Sequence, residues 1–238
     1  MQLAKPGITG LEQRTRAIAL DVAAGTYVNK EGWNLIRPVH GIQRPMSHSE
    51  VAELTLLYFV LPLWLAAGFA DYLCHRATSI ELTSGYKESL IHLLMFAEVA
   101  VPLLAAIFLE IDALVIATMI AGFIAHQLTA LWDISFANDK RPIPPIEQQV
   151  HSFLELLPLM GILVLIIFDW QQFLSLFGLG PESARFGIAL KPDPLPVTYV
   201  AAFLSAALMF EILPYLEELV RGLRARKRSM TANGRGPL

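Results

Sequence analysis

Four of the chain's six histidines share one chemical setting, a carboxylate four or seven residues away near the end of an apolar run. Asp71 and His75 lie in DYLCHR, Glu88 and His92 in KESLIHLLMFAE, and Glu147, His151 and Glu155 in EQQVHSFLELLP. His126 and Asp133, in AHQLTALWD, are seven apart. Four residues turn a helix about 40° past a full circle and seven fall about 20° short of two turns, so each set forms one stripe. Mixed imidazole and carboxylate ligands suit iron, manganese or zinc. The nine residues Asp71, His75, Glu88, His92, His126, Asp133, Glu147, His151 and Glu155 suggest two transition-metal ions, since a structural zinc takes about four ligands. Iron is favoured, with manganese or zinc as alternatives. Glu98 and Glu211 lie off the stripes and are expected to support or relay to the ligands. Cys74, the single cysteine, sits about 100° from His75 on the helix and is expected simply to pack. The lack of a thiolate cluster disfavours copper(I) and iron–sulfur sites, and four imidazoles equally disfavour an all-oxygen calcium site.

Apolar helices must carry these stripes. The composition is 55% hydrophobic and 16% charged, with mean hydropathy +0.51, whereas a soluble domain carries about 25% charged residues. Five segments, near 51–73, 89–109, 111–132, 152–169 and 197–216, approach the roughly 20 residues needed to cross a bilayer. The expected fold is an all-α polytopic membrane protein of about five transmembrane helices, four of them an up-and-down bundle around a polar site. Glu110-Ile111-Asp112 marks a tight corner between the second and third segments, and the glycines and prolines of 170–195 read as a long irregular loop. Pro62 and Pro214 fall inside spans, where neighbouring helices can satisfy the freed carbonyl. The chain divides into an N-terminal arm (1–50), a transmembrane domain (51–220) and a basic tail (221–238). The arm is expected to hold an interfacial amphipathic helix capped at Thr9, with Trp33 as an interface anchor. It lacks the continuous apolar core of a cleavable signal peptide. A net charge of −3 and the lack of a basic patch interleaved with aromatics argue against a nucleic-acid partner.

Up-and-down threading would bring the four stripes to one depth. A charged side chain at the bilayer centre costs about 2.5–3.5 kcal/mol on insertion scales and marks function. One histidine near a helix end ordinarily bonds a carbonyl or a headgroup; four matched pairs at one level favour a cation that neutralises the carboxylates. The ligand content is similar to that of membrane-bound di-iron proteins, but the similarity stops at chemistry. The clustered HxxxH and HxxHH boxes of desaturases and hydroxylases are absent, and the ExxH of ferritin-like enzymes is replaced by E147xxxH151 and E88xxxH92.

The expected activity is that of a di-iron oxidase or oxygenase acting on a membrane lipid or another hydrophobic small molecule, with a redox partner. A di-zinc lipid hydrolase and a metal or proton transporter are the alternatives. Against transport, the far halves PLLAAIFL, ALVIATMIAGF and PLMGILVLIIF are apolar. The expected location is a bacterial-type cytoplasmic membrane. Arg76, Lys87, Lys140, Arg141 and the run RGLRARKR place the site side in the cytoplasm by the positive-inside rule.

Overall fold

A computed structural model describes residues 46–233. The expected interfacial helix, its Thr9 cap and the Trp33 anchor lie outside the described residues, as do the last residues of the basic tail.

Helix α1 (His48–Thr55) starts at a capping box, in which Ser47 Oγ accepts from the Glu50 amide while the Glu50 carboxylate accepts from the Ser47 amide. It continues through one wide turn, Leu56–Val60, into α2 (Leu61–Thr78). Ser79, in the left-handed conformation (φ 51°), ends α2. Then follow α3 (Tyr86–Phe108), α4 (Ala113–Asn138), α5 (Pro145–Phe168), the short α6 (Trp170–Ser175) and α7 (Val197–Ala207). A second wide turn, Leu208–Ile212, joins α7 to α8 (Leu213–Asn233). Among the described residues, five helical stretches are long and apolar enough to cross a membrane: His48–Thr78, Tyr86–Phe108, Ala113–Asn138, Pro145–Phe168 and Val197–Ala232. The chain is therefore an all-helical integral membrane protein, with no strand among the described residues.

Both wide turns have the same cause. Each is a π turn followed two residues later by a proline, Pro62 and Pro214. Proline has no amide hydrogen and its ring crowds the carbonyl four residues back. A π turn lets the chain pass that point without breaking the helix, and such turns recur at functional sites. The second one contains Glu211, which is buried.

The helices outrun the apolar segments that announced them. Pro144 and Pro145 open α5 seven residues before the expected 152, because proline at the first helical position costs no hydrogen bond. The fifth stretch runs on through the polar sequence EELVRGLRARKR to Asn233, a run rich in good helix formers. Hydropathy measured the lipid-facing length, and capping and propensity set the helical length.

At the end of the molecule remote from the histidines, the α3–α4 corner is held by Asp112. One carboxylate oxygen accepts from the Val115 amide at 3.0 Å, and the other accepts from the Gly187 amide at 3.2 Å. The connection expected as irregular loop contains α6 and then pairs with this corner, with Glu110 N donating to Ala189 O at 2.9 Å and Lys191 N to Phe108 O at 3.0 Å. Pairing satisfies backbone groups that a bare loop would leave exposed.

Small residues set the closest helix approaches, as is usual in membranes. Gly222 of α8 lies against the backbone of Tyr86, and Gly122 of α4 against the Glu98 carbonyl, the group freed by Pro102 four residues on. Gly68 of α2 makes room for Glu211, and a methyl group there would collide with its carboxylate. Alanine in a helix is otherwise better than glycine by about 1 kcal/mol. Gly68→Ala is therefore expected to destabilise by about 1–3 kcal/mol through overpacking. Gly161→Ala, with nothing within 4 Å of the added carbon, should be neutral or stabilising. Thermal unfolding in detergent checks the pair, and equal shifts would remove the Gly68–Glu211 contact as the cause.

Candidate metal centre

The chemistry-bearing residues of α2, α3, α4, α5 and α8 meet in one buried cluster. Asp71, His75, Glu88, His92, Asp133, Glu147 and Glu218 are each at most 3% exposed, so bulk water does not solvate them. Four-residue spacing puts Asp71 beneath His75 on α2, with His75 Nε2 3.4 Å from Asp71 Oδ2 and 3.6 Å from Glu147 Oε1. His151 Nε2 reaches Asp71 Oδ1 at 2.9 Å from α5. On the other side, His92 Nε2 lies 3.2 Å from Asp133 Oδ2. The His75 and His92 rings stack, with centroids 4.4 Å apart and planes 16° apart. Stacking turns both Nδ1 atoms toward Glu218, at 3.0 Å from His75 and 3.6 Å from His92.

Two sets of side chains can hold a metal ion. Asp71, His75, Glu147 and His151 offer ligand atoms all within 4.8 Å of one another, and His75, Glu88 and His92 do the same. His75 belongs to both sets, with Nε2 toward Asp71 and Glu147 and Nδ1 toward Glu218. Several atoms in the cluster are buried without a hydrogen-bond partner: His75 Nε2, His92 Nδ1, Glu88 Oε2, Asp133 Oδ1 and Glu218 Oε1. A buried polar atom left unpaired costs about 1–3 kcal/mol, more when charged. A cation shared among them, or water in the adjoining chamber, would satisfy such atoms.

The remaining expected residues sit beside this cluster. His126 Nδ1 faces the Met95 carbonyl at 3.3 Å, and Glu98 accepts from the Thr129 hydroxyl at 2.8 Å. His126, Glu155 and Glu211 line a small cavity of about 60 Å³ that Asp71, His92, Asp133 and His151 also face. That volume admits an ion with a few waters or a small molecule. His126 and Glu155 are thus neighbours of the chamber and belong to neither tight ligand set. Cys74, half-buried on the next face of α2, also belongs to neither set.

Three participants carried no signal in the four stripes. Glu218 stands seven residues after Glu211, on the same face of the fifth helix but beyond Pro214, where the apolar run had ended. Tyr215, 5% exposed, donates to Asp71 Oδ2 at 3.2 Å and to the Gly68 carbonyl at 3.1 Å. Arg141, in the short α4–α5 connection, is also buried. Its guanidinium donates twice to Glu147, at 2.5 and 3.0 Å, and once to Glu88 at 2.6 Å. Burial opposes the Arg141 charge, but hydrogen bonds to Glu147 and Glu88 outweigh it and hold the group above the ordinary guanidinium range. Read as a loop charge that orients the chain, Arg141 proves to be an internal counter-ion.

The fold and the cluster define a class: an integral membrane protein with a buried His/Asp/Glu cluster that can hold metal ions. No protein-family model, curated protein or solved structure matches the chain, so the cluster's own chemistry carries the functional reading.

Removing one partner of a buried ion pair costs about 3–5 kcal/mol because the other charge is stranded. Arg141→Gln strands Glu88 and Glu147, so metal-free Arg141→Gln should unfold well below metal-free wild type. Added iron or zinc should restore more stability to the variant than to wild type, because the ion supplies the missing positive charge. Thermal unfolding with and without metal measures this. Equal metal-induced gains would mean that the guanidinium and the ion do not act on the same carboxylates.

Proposed function

We propose that this protein is a membrane-embedded di-metal oxidoreductase, with iron the preferred metal, acting on a lipid-soluble substrate. The supporting observation is a charge imbalance. Asp71, Glu88, Asp133, Glu147 and Glu218 are all essentially buried and Arg141 is the guanidinium among them. With neutral imidazoles, these five carboxylates outnumber the one guanidinium, and Glu211 adds a sixth buried carboxyl group beside the chamber; bound divalent cations would offset that excess. Desolvated charge at this density needs compensation in kind. On this reading four spans form an up-and-down bundle around the ions and the fifth adds Glu218. Asp71, His75, Glu147 and His151 hold one ion; Glu88, His92, Asp133 and Glu218 hold the other. Carboxylate–histidine sets projecting inward from facing helices are how di-iron bundles bind their metals.

The ions would supply redox chemistry on oxygen, and this chain's residues would tune it. Tyr215 orients Asp71, Arg141 fixes Glu147 and Glu88, and such outer partners set ligand geometry. Zinc would fit the same donors, so hydrolysis of a lipid ester or amide is the second reading. Transport is disfavoured because the far halves of the helices give a cavity walled by Val60, Leu61, Leu103, Leu157 and Ile162, whereas a pore needs continuous polar or hydrated lining.

Wild-type protein purified in detergent is expected to hold about one to two transition-metal ions per chain, as carboxylate bundles do. His75→Ala, His92→Ala and Glu218→Gln should lose most of that metal. His48→Ala, at an exposed position, should keep it. Elemental analysis decides this part: trace metal that reconstitution does not raise would end the metal reading. Reduced, iron-loaded protein should consume oxygen, while proteoliposomes should pass no protons or metal ions above empty vesicles. Metal-dependent flux lost in Asp71→Asn would replace the enzyme by a transporter. Lipid hydrolysis by zinc-loaded protein without oxygen consumption would establish the second reading.

A further inference from the structure

A second cavity, about 390 Å³ in volume, occupies the half of the molecule away from the cluster. Its mouth carries Glu53, Asp169, Lys191 and Asp193, and its depth is apolar. From Ser49 at the mouth to Trp64 at the inner end is fifteen residues of the first helical stretch, or roughly 20 Å of rise. A volume of about 390 Å³ spread over that length makes the cavity elongated, a shape that suits an extended hydrocarbon chain. Trp64 borders this cavity and also the small chamber beside the metal cluster. It stacks on Phe96, with centroids 6.4 Å apart and planes 7° apart, and Phe96 faces the chamber as well. Trp64, backed by Phe96, is thus shared between the inner end of the long cavity and the chamber beside the cluster.

The mouth also selects. Lys191 interacts with Glu53 and Asp169, which leaves the three carboxylates in excess of the one ammonium. An anionic head would meet repulsion there, whereas a hydroxyl or an amine would find acceptors.

We infer that the long cavity binds a single-chain amphiphile with an uncharged or cationic head, head at Lys191 and Asp169 and chain end against Trp64. Its bearing on catalysis rests on the oxidoreductase reading: the carbons brought to the ions would be those farthest from the head group.

The test is a binding titration on full-length, metal-free protein in detergent, so that its result does not depend on metal or turnover. The probes are a sixteen-carbon primary alcohol brominated at its last carbon and the same alcohol brominated beside the hydroxyl. Bromine quenches indole fluorescence at contact. The end-brominated alcohol should quench saturably, and the quenched component should be missing in Trp64→Phe; the head-brominated isomer should leave Trp64 bright. Gly161 lines the cavity and has open space at its Cβ position, so Gly161→Leu fills the cavity without moving a helix. Binding should weaken tenfold or more in that variant, with an unchanged melting temperature. Palmitate should bind at least tenfold more weakly than the alcohol.

Equal quenching of Trp64 by both isomers would overturn the end-on placement. Palmitate binding as tightly as the alcohol would overturn the head-group assignment. Undiminished binding to Gly161→Leu, or displacement by a two-chain phospholipid at the same concentration, would show bulk lipid and overturn the site. A chain that binds as described to a protein that never holds metal would keep this inference and remove the oxidoreductase reading.

Discussion

The interaction on which the rest of the structure depends is the electrostatic repulsion among five carboxylates buried away from bulk water. Asp71, Glu88, Asp133, Glu147 and Glu218 come from five different helical stretches. Unscreened like charges a few ångströms apart in low dielectric would drive those helices apart. The imidazoles that separate the carboxylates, the guanidinium that clamps two of them and the donors that reach Asp71 are all responses to that problem. The apolar packing around Val60, Trp64, Leu65 and Phe203 fills the molecule beside and beyond the cluster, which is itself held by ion pairs, the Tyr215 hydroxyl and stacked imidazoles.

That division explains which parts of the fold could be read in the sequence. The five spans were legible because lipid demands unbroken apolar length, a property carried by every residue of a segment. The Asp71–His75, Glu88–His92 and Glu147–His151 pairs were legible because helical periodicity converts a spacing of four into a shared face. Their meeting across helices followed from threading, and the distances between His75, Glu147 and His151 realise it.

What could not be read lay where one residue type serves two purposes. Arg141 looks the same in sequence whether it faces headgroups or two buried glutamates; only the fold of the α4–α5 connection separates these. Glu218 was hidden because Pro214 and the charged run after it resemble the end of a span. The helix continues there because the π turn at Leu208–Ile212 absorbs the proline. His126 had the right spacing to Asp133 but sits on the chamber's wall beside the Met95 carbonyl, since a shared face fixes direction and leaves depth to helix packing.

The position of Glu218 has a consequence for biogenesis. Helices of a polytopic protein enter the membrane in the order in which the ribosome delivers them, and the fifth span arrives after the other four. Until then His75 and His92 lack the carboxylate that both Nδ1 atoms face, and the first four spans hold Asp71, Glu88, Asp133 and Glu147 against Arg141 alone. The half-inserted intermediate is therefore a polar crevice open on the side where the fifth helix will dock. Any ion must enter while that side is open or through the narrow chamber afterwards. Docking of the fifth helix, which carries Glu218, completes the buried cluster.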